Sequence, residues 1–207
     1  ESSGYMTFLN SQFNSNKAGH SGAGVIGLNS GNSSFENSTF ESNQAGRGGG
    51  GISLVHCKLT YIRHCTFAGN KANVGGAAAF KTSYASLLDT TFDQNEALAG
   101  GGVYFLGDSL NVTDSTFEAN IADLYGGGMH AIAGLRTQIQ LANSTLFMKN
   151  KAKIGGTSLT KMFLALYLMC LMSLGGAFFQ LDSDYFERPP VAIDSTAWFE
   201  SNHAEHA

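Results

Sequence analysis

Proline is nearly missing from this 207-residue chain: the only two stand together at Pro189 and Pro190. Charge is sparse as well, 14% of residues against the roughly one quarter of an average soluble domain. There is no basic run. The 12 Lys and Arg set against 16 Asp and Glu leave a formal charge of −4, so no patch exists to neutralise a phosphate backbone, and nucleic-acid partners are not expected. Three cysteines, Cys57, Cys65 and Cys170, are too few and odd in number for a disulfide framework. The glycine runs at 48–51 and 126–128 share only composition with phosphate loops, because no Lys-Ser/Thr pair or strand-to-helix context follows. No cofactor is expected. A mean hydropathy of −0.04 with 43% hydrophobic residues excludes both a disordered tail and a multispan membrane protein.

What is abundant is glycine, 26 residues, and a phrase that returns seven times: Phe, two residues, Asn, then Ala two further on. The pairs are Phe13/Asn16, Phe40/Asn43, Phe67/Asn70, Phe92/Asn95, Phe117/Asn120, Phe147/Asn150 and Phe199/Asn202. Successive Asn spacings are 27, 27, 25, 25, 30 and 52. A glycine run follows each phrase except the last. Upstream of each Phe lies a second register, an Asx or His before a small residue: Asn10-Ser11, Asn37-Ser38, His64-Cys65, Asp89-Thr90, Asp114-Ser115, Asn143-Ser144 and Asp194-Ser195. Asn and Asp tolerate left-handed backbone, so this register predicts a turn. Apolar and polar residues alternate before it, as in Leu110/Val112, and short β-rich stretches such as Val103, Tyr104 and Phe105 follow the glycines. Each repeat therefore holds at least two strands.

Short strands at this period, without helical periodicity, predict one turn of a parallel β-solenoid. Equivalent residues in such a coil stack about 4.8 Å apart, which places the Phe side chains in one internal stack and the Asn side chains in a ladder. Phe13, Phe40, Phe67, Phe92 and Phe117 with Asn16, Asn43, Asn70, Asn95, Asn120, Asn150 and Asn202 are thus assigned to architecture.

The F-x-x-N phrase with a downstream G-G-A, as in Phe67 to Asn70 with Gly75, Gly76 and Ala77, resembles the repeat of chlamydial polymorphic outer membrane proteins. The resemblance covers residues 1 to about 156 and 175 to 207. It implies an all-β, right-handed parallel β-helix of the pectin-lyase-like class, here about seven coils of 25–30 residues, at the cell surface (the outer membrane in a bacterium) or secreted, with a role in adhesion. It transmits no catalytic residue. The ends of the sequence read as those of a single β-helix fragment of a longer array.

One segment breaks the pattern. Residues 162–174 are apolar apart from Ser173, and excising 155–174 joins Ile154 to Gly175, Gly176 and Ala177, restoring the repeat. The segment reads as an insertion: a loop or helix packed on the solenoid, the translation of an unspliced intron, or a membrane-associated stretch, although 13 residues fall short of a bilayer-spanning helix.

Among chemistry-bearing residues, the acids following Phe stand out, with Asp93 and Glu118 on adjacent coils. Stacked carboxylates repel, which raises a pKa or recruits a cation, so Asp93 and Glu118 form a candidate cation ladder or acid pair; the alternative is a solvated outer face. His56, Cys57, His64 and Cys65 raise zinc and disulfide readings without the usual ligand spacing. Four N-x-S/T sequons, at Asn32, Asn37, Asn111 and Asn143, would permit glycosylation in a secreted eukaryotic chain. The expected function is a non-catalytic surface or secreted binding protein with a protein or glycan ligand, in contact with a membrane only through regions beyond this sequence or through 162–174. The alternative is a carbohydrate-active β-helix enzyme.

Overall fold

The computed structural model describes residues 4–82, 84–133, 137–154, 157–161, 169–174, 177–182, 191–193 and 197–206. Beyond the minimum of two strands, most repeats fold into four, while the third has three and crosses the remaining face through isolated bridges at Lys71 and Val74; equivalent strands pair in parallel from layer to layer. Sheet 1 holds Met6–Leu9, Asn32–Glu36, Leu59–Arg63, Tyr84–Leu88, Ser109–Thr113, Gln138–Ala142 and Val191–Ile193. Sheet 2 carries the Phe phrase: Gln12–Asn14, Thr39–Glu41, Thr66–Ala68, Thr91–Asp93, Thr116–Glu118, Leu146–Met148 and Trp198–Glu200. Sheet 3 is narrow, beginning with the two-residue strands Lys17–Ala18 and Gln44–Ala45 and widening to Ile121–Tyr125. Sheet 4 follows the glycine corner with Val25–Leu28, Ile52–Val55, Ala78–Lys81, Val103–Leu106 and Met129–Ala133. The architecture is a parallel β-helix. Among the described residues about five turns, from Met6 to Ala133, follow one another in regular succession, slightly fewer than the expected seven coils, and further strands continue all four sheets, beginning with Gln138–Ala142, Leu146–Met148, Lys151–Ile154 and Thr157–Lys161.

Two left-handed residues shape every layer. The first is the Asx or His register, with φ between 46° and 53° at Asn10, Asn37, His64, Asp89, Asp114 and Asn143, which bends sheet 1 into sheet 2. From the second layer to the fifth the residue after it is buried, and its hydroxyl or thiol donates to the carbonyl two positions back: Ser38 to Glu36, Thr90 to Leu88, Ser115 to Thr113, and Cys65 Sγ to Arg63 at 3.2 Å. In the sixth layer Ser144 is exposed and Thr145 takes the buried place, donating to Ala142, because one extra residue is accommodated there. Asp194 and Ser195 lie outside the described residues. The second left-handed residue immediately precedes the ladder Asn and was not anticipated: Ser15, Ser42, Gly69, Gln94, Ala119, Lys149 and Ser201 all have φ near 55°. The glycine corner supplies a third such bend. Gly75 has φ +60°, and a Cβ there would collide with the Ala78 carbonyl, which answers the need for glycine in sequence terms.

Inside the coil, the Phe rings of sheet 2 stack nearly parallel, with centroids 4.7 Å apart for Phe13/Phe40 and for Phe40/Phe67, 5.0 Å for Phe67/Phe92, 4.6 Å for Phe92/Phe117 and 4.5 Å for Phe117/Phe147. Phe199 continues the stack at 5.1 Å. Columns from sheet 1 (Phe35, Ile62, Leu87, Val112, Leu141) and sheet 4 (Leu54, Phe80, Phe105) complete the core. The recurring Ala fills the narrow corner at sheet 3, where Ala45, Ala72, Ala97, Ala122 and Ala152 are buried.

Within the segment 155–174, residues 157–161 and 169–174 are described, and both stretches are strand. Thr157–Lys161 pairs in parallel with Met129–Ala133 and, on its other side, with Ala177–Asp182 in the register Thr157↔Ala177. Met169–Leu174 returns antiparallel along Ala177–Asp182. A sheet edge offers unpaired backbone groups that favour such additions. No helix among the described residues is long and apolar enough to cross a membrane.

Candidate functional site

The Asn ladder is the most polar feature of the interior and its hydrogen bonding is closed. In Asn95, Oδ1 lies opposite the neighbouring layer and accepts from Asn70 N–H at 2.9 Å and from Asn70 Nδ2 at 3.0 Å. Its Nδ2 donates to Phe67 O and to Asn120 Oδ1, both at 2.9 Å. Asn43, Asn70, Asn120 and Asn150 repeat the set with their own neighbours, and Asn16 and Asn202 terminate it. All four capacities of each inner amide are used, so none is free to meet a ligand.

Asp93 and Glu118 are register partners on the outer side of sheet 2. Burial, then the charge of Glu118, pushes the Asp93 carboxyl above its ordinary pKa. The ladder also meets a cation from its own chain: Lys149 Nζ lies 2.7 Å from Glu118 Oε1, and this contact raises the lysine pKa. Gln94 Nε2 donates to Asp93 Oδ2 at 3.1 Å. The arrangement is an exposed ion pair beside an amide-capped carboxylate, and Glu41 and Glu200 stand exposed in the same column.

His56 and Cys57 sit between sheets 4 and 1, whereas His64 and Cys65 sit between sheets 1 and 2, at opposite ends of the extended strand Leu59–Arg63. An extended five-residue strand spans about 17 Å, so the four side chains cannot converge on one ion, nor the two sulfurs on one bond. Cys57 and Cys65 are buried free thiols; burial raises the Cys65 pKa, and His64 Nδ1 instead lies 2.9 Å from Asp89 Oδ2.

A surface concavity lies elsewhere, on the outer side of sheet 4, where sequence reasoning had placed nothing. The outward column Ile26, Ser53, Ala79, Tyr104 and His130 changes size from layer to layer. Ser53 and Ala79 are small, and the corner at Gly48, Asn73 and Val74 rises beside them, leaving a groove of about 330 Å³. Its lining is mostly apolar, from Val55, Val74, Ala79, Tyr104 and Leu106, while Arg47 and Lys81 bring the two cations. Both are exposed and neither forms an ion pair among the described residues. At the next layer His130 is buried, its ring 5.7 Å from Tyr104 and 5.4 Å from Tyr125. Its Nδ1 has no hydrogen-bond partner among the described residues, and desolvation lowers its pKa to about 4. The signal available in the sequence was a dip in side-chain size at one column, Ser53 and Ala79 between Ile26 and Tyr104, visible only once the outward register is known.

A family model described as "Right handed beta helix region" matches residues 1–157. The chain belongs to that family. The match fixes the hand of the coil, in keeping with the strong right-handed preference of parallel β-crossovers. It is to the β-helix in general and does not carry the narrower likeness to chlamydial repeats. No curated protein and no solved structure matches the chain.

Proposed function

We propose that this β-helix is a non-catalytic binding module, displayed at a cell surface or secreted, which engages a protein or glycan partner along its lateral faces in the manner of an adhesin. The observation that carries the reading is the division between interior and exterior. Recurring residues are committed to the coil: Phe to the stack, Asn to saturated amides, Ser, Thr and Cys to carbonyls two positions back. Outward residues differ from layer to layer, as in Asn14, Glu41, Ala68, Asp93, Glu118 and Met148 after each Phe. A repetitive scaffold with a varied face suits recognition across several layers. Catalysis needs a few groups converging on one reacting atom, whereas Asp93 and Glu118 are tied to Gln94 and Lys149. The resemblance to the chlamydial repeat supports the same location and role.

Incubation with acidic and neutral polysaccharides, with and without Ca²⁺, tests the non-catalytic part through reducing-end and unsaturated-product assays. No turnover is expected. Turnover that disappears in Asp93→Asn or Glu118→Gln would instead establish a carbohydrate-active enzyme.

A further inference from the structure

We infer that the groove on sheet 4 recognises an acidic peptide segment, with an apolar side chain seated on Ser53 and Ala79 and flanking carboxylates paired to Arg47 and Lys81. The inference rests on the binding-module reading and chooses between its two classes of ligand.

Shape comes first. Two consecutive layers present small residues, Ser53 and Ala79, where the column carries Ile26 before them and Tyr104 after them. The resulting open space of about 330 Å³ is lined by Tyr104 in the layer after Ala79 and by Val74, the bridge partner of Gly48. That volume is at the lower end for small-ligand sites. It holds one anchoring side chain with its neighbouring backbone, not a long ligand engulfed on all sides.

Chemistry then selects the occupant. A sugar presents hydroxyls on nearly every carbon, and each one buried needs a partner, since an unpaired polar group costs about 1–3 kcal/mol. The floor and walls offer Val55, Val74, Ala79, the Tyr104 ring and Leu106 against only Ser21, Ser53 and Asn73 as neutral polar side chains, fewer partners than the hydroxyls a seated sugar brings. An aliphatic or aromatic side chain loses nothing on that surface and gains from leaving water.

Charge selects the flanks. The chain is acidic overall, at −4, yet the two charged residues lining this groove are both cations, and both are unpaired among the described residues. Arg47 stands at the corner side and Lys81 at the end of strand Ala78–Lys81. A ligand with an apolar anchor between acidic residues satisfies both, and like-charged ligands are repelled.

The test uses the intact chain and four fluorescent probes: acetylated peptides with Leu between Glu pairs, with Ser between Glu pairs and with Leu between Lys pairs, and a hexuronic-acid oligosaccharide. Anisotropy titration should show binding of the Glu-Leu-Glu peptide, weakening as salt rises, and much weaker binding of the other three. Arg47→Gln and Lys81→Gln should each weaken it about 3- to 10-fold, in line with single charge pairs at a partly desolvated rim. Ala79→Leu, which fills the floor without touching either charge, should abolish it; unchanged circular dichroism identifies variants that remain folded, and the two charge variants carry the test if Ala79→Leu does not fold. Equal binding of the Ser and Leu peptides, or indifference to all three variants, overturns the inference. Groove-dependent binding of the oligosaccharide alone overturns the peptide assignment and leaves the binding module standing. Product release from the oligosaccharide overturns both.

Discussion

Asn95 offers the sharpest test of what holds the layers together. Its amide is fully buried, and removing it in Asn95→Ala strands four groups at once: Asn70 N–H, one Asn70 Nδ2–H, Phe67 O and one lone pair of Asn120 Oδ1. A buried unsatisfied group costs about 1–3 kcal/mol, and such losses are not additive, because water enters the space and neighbours relax. The expected destabilisation is therefore about 4–6 kcal/mol, among the larger values for a single substitution. Asn95→Asp adds a signature that a simple packing defect lacks. The carboxylate is isosteric and still accepts from Asn70, but its second oxygen faces two acceptors, Phe67 O and Asn120 Oδ1. Only the protonated form can donate to one of them, so the folded-state pKa of this carboxyl lies above its unfolded value of about 3.9. The relative stability of Asn95→Asp is then best below about pH 4 and declines as pH rises through the folded pKa. Urea titrations of wild type, Asn95→Ala and Asn95→Asp, followed by circular dichroism from pH 3.5 to 8, measure both effects. A loss under about 1 kcal/mol in Asn95→Ala, or a deficit in Asn95→Asp that does not grow with pH, refutes the account of the ladder.

Phe92→Ala removes one ring from the middle of the stack and should cost about 3–5 kcal/mol through the cavity it leaves, seen as a large fall in thermal midpoint. His130 has a folded pKa of about 4 below an unfolded value of about 6.5, so the unfolded chain binds more protons between them; wild type should lose about 3 kcal/mol as pH falls from 6.5 to 4, and His130→Gln should flatten that part of the stability profile. Ala119 holds φ 52° where Gly69 occupies the equivalent place, and Ala119→Gly should stabilise the chain by about 0.5–1 kcal/mol in denaturant titration.

Much of the coil could be read from spacing alone because a solenoid repeats its constraints. Phe and Asn recur since each must meet its own kind one layer away, and the Asx register recurs since each layer needs the same left-handed bend. The bend at Ser15, Ser42, Gln94, Ala119 and Lys149 escaped notice because the backbone, not the side chain, is specified there, and unrelated residues serve. The narrow third sheet escaped for a similar reason: its first strands are two residues long, too short for any alternation to show. The acidic pair was visible as sequence, but its partner Lys149 lies 31 residues from Glu118 and joins it only through the stacking of layers. The groove was illegible because it depends on which residues are small relative to their neighbours one layer up and down, a comparison that requires the outward register of sheet 4.

The row of Asn amides has an electrical consequence. From Asn16 to Asn150 one Nδ2–H of each amide donates to the Oδ1 of the following layer, while from Asn43 to Asn202 an Nδ2–H turns back to a Phe carbonyl of the layer before. Six links point the same way. Aligned amide dipoles in a low-dielectric interior polarise one another and add, whereas the strands around them contribute little net dipole. The solenoid thus carries an axial dipole whose carbonyl, partially negative end lies toward Asn16 and whose N–H, partially positive end lies toward Asn202. Its sense is opposite to that of an α-helix, where the first residues form the positive end. The direction in which the coils climb therefore sets which end of the stack attracts cations and which attracts anions, before any charged side chain is counted.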